Sequence, residues 1–467
     1  MKKEKFRIPD AFVIVFVLII IAGVATWVVP GGHFDREIVT QDGHKREVIK
    51  KDSFQFQENQ PQDFEIFEAP LKGFIRMAEI IGFVFFVGGA FFVLQATGAI
   101  NASIGAIVKR MKGREKWIIV VVMAIFSFFG AFFGMCEEAI PFVLIFVPLA
   151  LALGYDSITG LCFSFLSAGV GFATAFFNPF TVQIAQRFSE IPPISGWEYR
   201  VGIWIFVTGF TIFWVVRYAE KVKKNPQLSL TFEADQQRRV ELEKETREGG
   251  EFNKAHAAVL VVLFVSIVFL FIGVIQWKWY IVELAALFVV MGIVAGIVGG
   301  LKINDVAKGF IAGAKDIAGA ALIIGFAGGI IILLENGNIM DTILYGMSKL
   351  IGDSVPVLSS YIMYGFQMLL NFFIPSGTTK AALTMPLFAP LADLTGITRQ
   401  TAVLAYQFGD GFTNMIIPTS GVTIGTLALA KVPFEKWFKW LLPLEIIFVI
   451  FSLLLLIPPV LLNWKGF

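Results

Sequence analysis

The sequence predicts an all-α polytopic membrane protein with an inverted repeat, two re-entrant helical hairpins, two broken transmembrane helices and about nine full spans. Three observations predict it. Of 467 residues, 56% are hydrophobic and only 16% charged, at a mean hydropathy of +0.75, which excludes an ordinary soluble domain. Apolar runs recur along the whole chain: Phe12 to Val29, then after Gly73, Trp117, Ser157, Tyr199, Ala257, Tyr280, Ile317, Val357, Thr398 and Leu441. Polar, Gly- and Pro-containing breaks interrupt some of these runs at matching places in two halves, the pattern of helices unwound around a solute.

Taken in order, Lys2, Lys3, Lys5 and Arg7 precede the first run like the start of a signal peptide. Val28-Val29-Pro30-Gly31-Gly32 offers no small-residue cleavage site, so the run reads as a retained helix with a cytoplasmic N-terminus. A polar external loop, about residues 30–69, is expected to form a small cap or ordered loop. The first repeat, residues 1–225, then holds a hairpin at about 117–153 and a broken helix at about 157–187. Residues 226–255 are a charged cytoplasmic linker. The second repeat, 256–467, holds a hairpin at about 357–391 and a broken helix at about 398–429.

The halves match at an offset of about 240 residues. Lys72-Gly73-Phe74 matches Lys308-Gly309-Phe310, Gly88-Gly89 matches Gly328-Gly329, and Pro148-Leu149-Ala150 matches Pro390-Leu391-Ala392. Counting spans from a cytoplasmic N-terminus gives the repeats opposite topology. One hairpin then enters from the cytoplasm and the other from outside, and their tips meet near the midplane. The basic groups Lys109, Arg110, Lys112, Arg114 and Lys116, then Arg217, Lys221, Lys223 and Lys224, then Lys431, Lys436 and Lys439 share the N-terminal side. The positive-inside rule makes that side cytoplasmic, the C-terminus external and the membrane the inner one.

A net charge of +2, spread over loops, gives no nucleic-acid face. Cys136 and Cys162 lie in apolar segments, and His33, His44 and His256 are scattered, so neither a disulfide framework nor a metal site is expected. No nucleophile, metal cluster or phosphate loop suggests an enzyme, and no cofactor is expected. Trp and Tyr residues at span ends read as interface belts, and the paired glycines as close helix packing.

The candidate chemistry sits in the breaks. Gly134-Met135-Cys136-Glu137-Glu138 places two carboxylates at a hairpin tip, where each charge at bilayer centre costs about 2.5–3.5 kcal/mol on insertion scales. Glu137 and Glu138 would bind a cationic group or carry a coupling proton. The structural alternative is that one caps the returning helix and the other pairs with Lys380. Ser376-Gly377-Thr378-Thr379-Lys380, ahead of an apolar helix, offers backbone N–H groups, hydroxyls and an ammonium for a carboxylate. The repeat offset sets Glu138 opposite Lys380, giving one site with opposite charges on opposing tips. In the broken helices, Asn178, Asp410, Asn414, Thr419 and Ser420 could coordinate substrate or a cation, and Asp410 could instead pair with Lys380 or Arg399. Gln95, Glu283 and Glu335 lie outside the breaks and read as structural.

At these motifs the sequence resembles the ion-transporter superfamily, specifically the YfcC-like branch related to arginine–ornithine antiporters and anaerobic four-carbon dicarboxylate carriers. The resemblance covers nearly the whole chain. It is carried by Trp27-Val28-Val29-Pro30-Gly31-Gly32-His33-Phe34, the two hairpin motifs, Asp410-Gly411-Phe412-Thr413-Asn414 and Pro418-Thr419-Ser420-Gly421. It implies a homodimer in which both hairpins and both broken helices form a mobile transport domain that moves like an elevator. Sodium-coupled dicarboxylate relatives carry Ser-Asn-Thr hairpin motifs. Here Glu137-Glu138 and Thr379-Lys380 depart from that pattern, since a Glu pair repels a dianion and a fixed ammonium can occupy a sodium position. The departure points to exchange of a zwitterionic or cationic solute such as arginine, ornithine or lysine. The alternative is a proton- or sodium-coupled carrier of dicarboxylates or other small carboxylates.

Overall fold

Hydrocarbon leaves a chain few ways to satisfy its backbone, and the apolar runs accordingly form helices. The computed structural model describes residues 9–41, 44–50, 53–100, 102–104, 113–248, 253–277, 279–352 and 354–466. Among the described residues eight helices are long and apolar enough to cross a membrane, against the about nine spans that the sequence predicts. One of the eight, Glu115–Phe133, is the helix that the sequence reading takes as the first arm of hairpin one. Lys2, Lys3, Lys5, Arg7, Lys109, Arg110 and Lys112 of the orientation argument lie outside the described residues.

The chain is mostly helical but carries a small β cap, which corrects the all-α expectation. Gly31–His33 pairs antiparallel with Gln55–Gln57, and Arg36–Gln41 with His44–Ile49. Phe34 is buried beneath it, its ring 5.1 Å from Phe54, which stacks at 4.0 Å on Tyr345 of the second half. Isolated apolar anchors in a charged stretch give no periodicity, so the strands left no clear signal. The polar loop is also shorter than predicted. An amphipathic helix, Glu65–Arg76, starts within it and turns at Met77 into the span Ala78–Ala96.

The second half repeats this order with the amphipathic helix Ile303–Asp316 and the span Ala318–Asn336. Each amphipathic helix packs on the paired glycines of the other half. A methyl added to Gly328 would lie 2.7 Å from the Gly73 carbonyl oxygen, and one added to Gly89 would lie 3.0 Å from the Phe310 Cα. Side chains there would force the helices apart, so the matched glycines are the contact surface of an exchange between halves.

Hairpin one is Glu115–Phe133 returning through Val143–Ala152, and hairpin two is Pro356–Asn371 returning through Gly377–Leu394. The first broken helix runs Ser157–Ala173 and resumes at Val182–Phe188, and the second runs Arg399–Asn414 and resumes at Gly421–Leu429. They cross where Gly411 meets Ala173, and the Gln407 amide donates to the Phe172 carbonyl at 2.5 Å. They run antiparallel. Arg399, at the start of the second, donates to the Ser189 carbonyl just past the end of the first at 2.9 Å. At the opposite face Arg238 reaches both the Ser157 hydroxyl, at the start of the first, and the Ala430 carbonyl, at the end of the second, each at 2.9 Å. Arg238 belongs to the charged linker, whose middle is a helix, Phe232–Glu248.

Candidate functional site

Hairpin one turns at Gly134, whose left-handed φ of 77° lets its N–H reach back to the Gly130 carbonyl and brings the tip against Asn178. A short 3₁₀ turn, Glu137–Phe142, follows before the returning helix. Both carboxylates therefore sit in a helical first turn, where the helix dipole favours negative charge. Glu138 is 7% exposed and accepts the Cys136 N–H at 3.1 Å. Neither Glu137 nor Glu138 meets a basic side chain among the described residues.

The first break is organised by Asn178, whose Oδ1 accepts the Phe180 and Thr181 N–H groups at 2.9 and 3.3 Å. The backbone N–H groups of Phe177 and Asn178 donate to the Ala131 carbonyl, which fastens this break to hairpin one. Its far side fastens to hairpin two, because Thr378 Oγ1 donates to the Phe180 carbonyl at 2.8 Å. Asn178 Nδ2 is buried with no partner among the described residues.

At the tip of hairpin two, Ser376 caps the returning helix. Its hydroxyl lies 3.0 Å from Thr379 Oγ1, and its carbonyl accepts the Lys380 N–H at 2.9 Å. Ser376 and Thr379 are exposed. Gly377 is wedged between Thr181 and Asp410: a methyl there would lie 2.7 Å from Thr181 Cγ2 and 2.8 Å from Asp410 Oδ2. Tyr406 donates its hydroxyl to the Gly377 carbonyl at 2.6 Å.

Lys380 corrects the expectation that it faces Glu138 and takes the other alternative read from the sequence, pairing with Asp410. Its ammonium lies 2.8 Å from Asp410 Oδ1 and donates to Asn371 Oδ1 at 2.8 Å and the Gln367 carbonyl at 3.3 Å. It turns away from the tip into the packing between hairpin two and the second broken helix, so it does not face Glu138. The reason is local: one turn into the returning helix, position 380 falls on the face packed against Asp410. Three oxygens around one ammonium make a cation site with its cation built in.

Asn371, Gln367 and Tyr406 are the site residues that sequence reasoning missed. Asn371 Nδ2 reaches the Asp410 carbonyl at 2.9 Å, Thr413 Oγ1 at 2.8 Å and Asn414 Oδ1 at 3.0 Å, so it links the pair to the second break. In that break Ser420 caps the resuming helix through the Thr423 N–H, the Thr423 hydroxyl donates to the Asn414 carbonyl, and Trp437 Nε1 donates to the Met415 carbonyl. Thr419 is buried with its hydroxyl unpartnered among the described residues. Beside hairpin two, Thr378 and Thr379 line a cavity of about 580 Å³ between the β cap, Arg76 and Glu335.

The model of the family DcuC, described as C4-dicarboxylate anaerobic carrier, matches residues 8–460. The chain belongs to the DcuC family. This DcuC-family chain is 36% identical over 475 residues to the Escherichia coli (strain K12) protein named "Putative basic amino acid antiporter YfcC", with 93% of each chain covered. It is 30% identical over 487 residues to an uncharacterized protein of Haemophilus influenzae, with 95% of each covered. Among solved structures it is similar to the YdaH transporter of Alcanivorax borkumensis, at a TM-score of 0.43 and 14% identity over 98% of this chain and 100% of that one. It is also similar to MtrF of Neisseria gonorrhoeae, described as illuminating a class of antimetabolite efflux pumps, at 0.43 and 18% over 96% and 94%. As a DcuC-family member with eight span-length apolar helices among its described residues, the protein is an integral membrane transporter of the DcuC/YfcC type.

Proposed function

We propose that the protein exchanges basic amino acids of the arginine, ornithine or lysine type across the cytoplasmic membrane. One observation carries this reading. Lys380 is already matched by Asp410, whereas Glu137 and Glu138 meet no basic group among the described residues, so the Glu pair, when ionised, leaves the tips with net negative charge. In a low-dielectric site that charge selects a cation and repels a dianion. The ammonium or guanidinium of the substrate side chain sits at Glu137 and Glu138. Its α-carboxylate sits at the helix start Ser376 to Thr379, where the positive end of the helix dipole and the hydroxyls supply the attraction without Lys380. The relative named as a basic amino acid antiporter supports the same substrate class.

The remaining organisation belongs to the same proposal. Residues 1–225 and 256–467 act as inverted repeats joined by the linker 226–255, with a cytoplasmic N-terminus, an external C-terminus and a homodimeric assembly. The hairpins and broken helices move together like an elevator, supported by the bonds that tie the first break to both hairpins and the two broken helices to each other. A second reading, a proton- or sodium-coupled carrier of C4-dicarboxylates, is favoured by the family description. Counterflow into proteoliposomes separates the two. Vesicles loaded with lysine, ornithine or arginine accumulate labelled arginine if the first is right. Exchange confined to succinate- or fumarate-loaded vesicles replaces it with the second.

A further inference from the structure

The cavity outside hairpin two has a charge pattern that the tip site does not use. Its walls carry Arg36 and His33 from the cap, Arg76 from the end of the amphipathic helix, Glu335 and Asp341 from the second half, and Thr379 from hairpin two. Its volume, about 580 Å³, is ample for a small solute.

The two ion pairs within it are built differently. The Asp341 side chain is only 5% exposed, accepts Arg36 Nη2 at 2.8 and 3.0 Å and also accepts the Phe34 N–H at 2.9 Å. That pair latches the cap. Arg76 and Glu335 instead face each other as open forks, bonded at 2.6 and 3.0 Å with side chains 37% and 48% exposed. Neither group makes another side-chain hydrogen bond among the described residues. An exposed pair of this kind contributes little to stability, so a ligand bringing both charges can part it readily.

We infer that Arg76 and Glu335 form an outer binding site for the head group of an α-amino acid. The Arg76 guanidinium takes the α-carboxylate through two parallel N–H bonds, a geometry that it already shows toward Glu335. Glu335 takes the α-ammonium, and the substrate side chain extends toward Thr378 and Thr379. The balance of charge selects a zwitterion. A dicarboxylate would lie against Glu335 and Asp341, and an amine without a carboxylate would lie against Arg76 and Arg36. The site takes its substrate class from the proposed function, but its location and charges are independent of the tip carboxylates.

The test uses the full-length protein in nanodiscs carrying Glu137→Gln and Glu138→Gln, so that the proposed inner site is silent. Leu383→Cys, or Ala382→Cys if the first fails to fold, places a reporter thiol in the cavity wall. Its rate of reaction with a maleimide is read against the same protein holding only Cys136 and Cys162. Arginine, lysine and glycine, each at about four times its Kd, slow labelling about fivefold. Agmatine, which lacks the carboxylate, and succinate, which lacks the ammonium, leave the rate unchanged. Arg76→Gln or Glu335→Gln removes the protection. The site is overturned if no amino acid protects, if protection survives Arg76→Gln, or if succinate protects as well as arginine does. Protection without arginine exchange by the wild-type protein removes the proposed function and keeps this site, and exchange without protection does the reverse.

Discussion

Lys380 Nζ lies 2.8 Å from Asp410 Oδ1, and neither side chain is exposed at all. An ammonium and a carboxylate are thus both withdrawn from solvent inside the membrane region, and their mutual attraction offsets the desolvation of each. The remaining oxygen, Asp410 Oδ2, has no hydrogen-bond partner among the described residues and points at Gly377, the first residue of the returning helix. The pair therefore neutralises the interior and leaves one acceptor directed at the tip.

Breaking this pair from one side strands the other charge. Lys380→Met or Asp410→Asn is expected to lower stability by about 3–5 kcal/mol. The double variant Lys380→Met with Asp410→Leu should recover most of that loss, because no uncompensated charge remains. Chemical unfolding of the purified protein reads the difference. Single variants as stable as the wild type would mean that the buried pair has another source of compensation.

Glu137→Gln and Glu138→Gln address the opposite situation, carboxylates with no protein cation beside them. Removing one charge from a buried contact with a cationic substrate costs about 2–5 kcal/mol, or roughly 30- to 5000-fold in affinity. Arginine binding and exchange should fall by that amount, while the thermal midpoint stays level or rises because one desolvated charge has gone. Undiminished exchange by both variants would make the Glu pair structural.

The hairpin tips and broken helices were legible because each break interrupts an otherwise apolar run with residues that hydrocarbon tolerates only around a cavity. What happens within the site was less legible. Asn371 is one polar residue at the end of a helix, and nothing in its neighbourhood marks it as the link between Lys380 and the second break. The repeat offset suggested Glu138 as the partner of Lys380, but an offset aligns positions along the chain and does not fix the face a side chain takes. Arg76 and Glu335 come from opposite halves, and sequence gave no reason to join them. The cap was hidden by its charge, since Phe34 and Phe54 anchor it singly rather than in an alternating row.

Asn371→Leu follows from that linking role. The change keeps the volume but removes the acceptor for the Lys380 ammonium and the donor to the Asp410 carbonyl, Thr413 and Asn414. Each buried group left unsatisfied costs about 1–3 kcal/mol, so the variant should be destabilised by at least that much. Asn371→Asp keeps the acceptor and should hold Lys380 while losing the donor bonds. Equal stability of the two variants would show that the donor side carries the effect.

The linker supplies the last prediction, because it touches both broken helices at once. Asp235 accepts the Ser157 N–H at 3.0 Å and the Ser157 hydroxyl at 2.5 Å, which puts a carboxylate at the start of the first broken helix. Arg238 donates to the Ala430 carbonyl at 2.9 Å and to the Lys431 carbonyl, which puts a guanidinium at the end of the second. Each charge has the sign that its helix end favours, and the two ends lie side by side because the helices run antiparallel. One helical turn of linker therefore caps two opposed helices together. Arg238→Ala should unfasten both ends, and amide hydrogen exchange should quicken in step near Ser157 and near Lys431. A hydrogen bond to a charged group is worth about 1.5–3 kcal/mol, so exchange at protected amides should speed up by roughly 10- to 150-fold. Faster exchange at Lys431 alone would show that Asp235 holds the first helix without help, and that the linker does not act on the two broken helices as a unit.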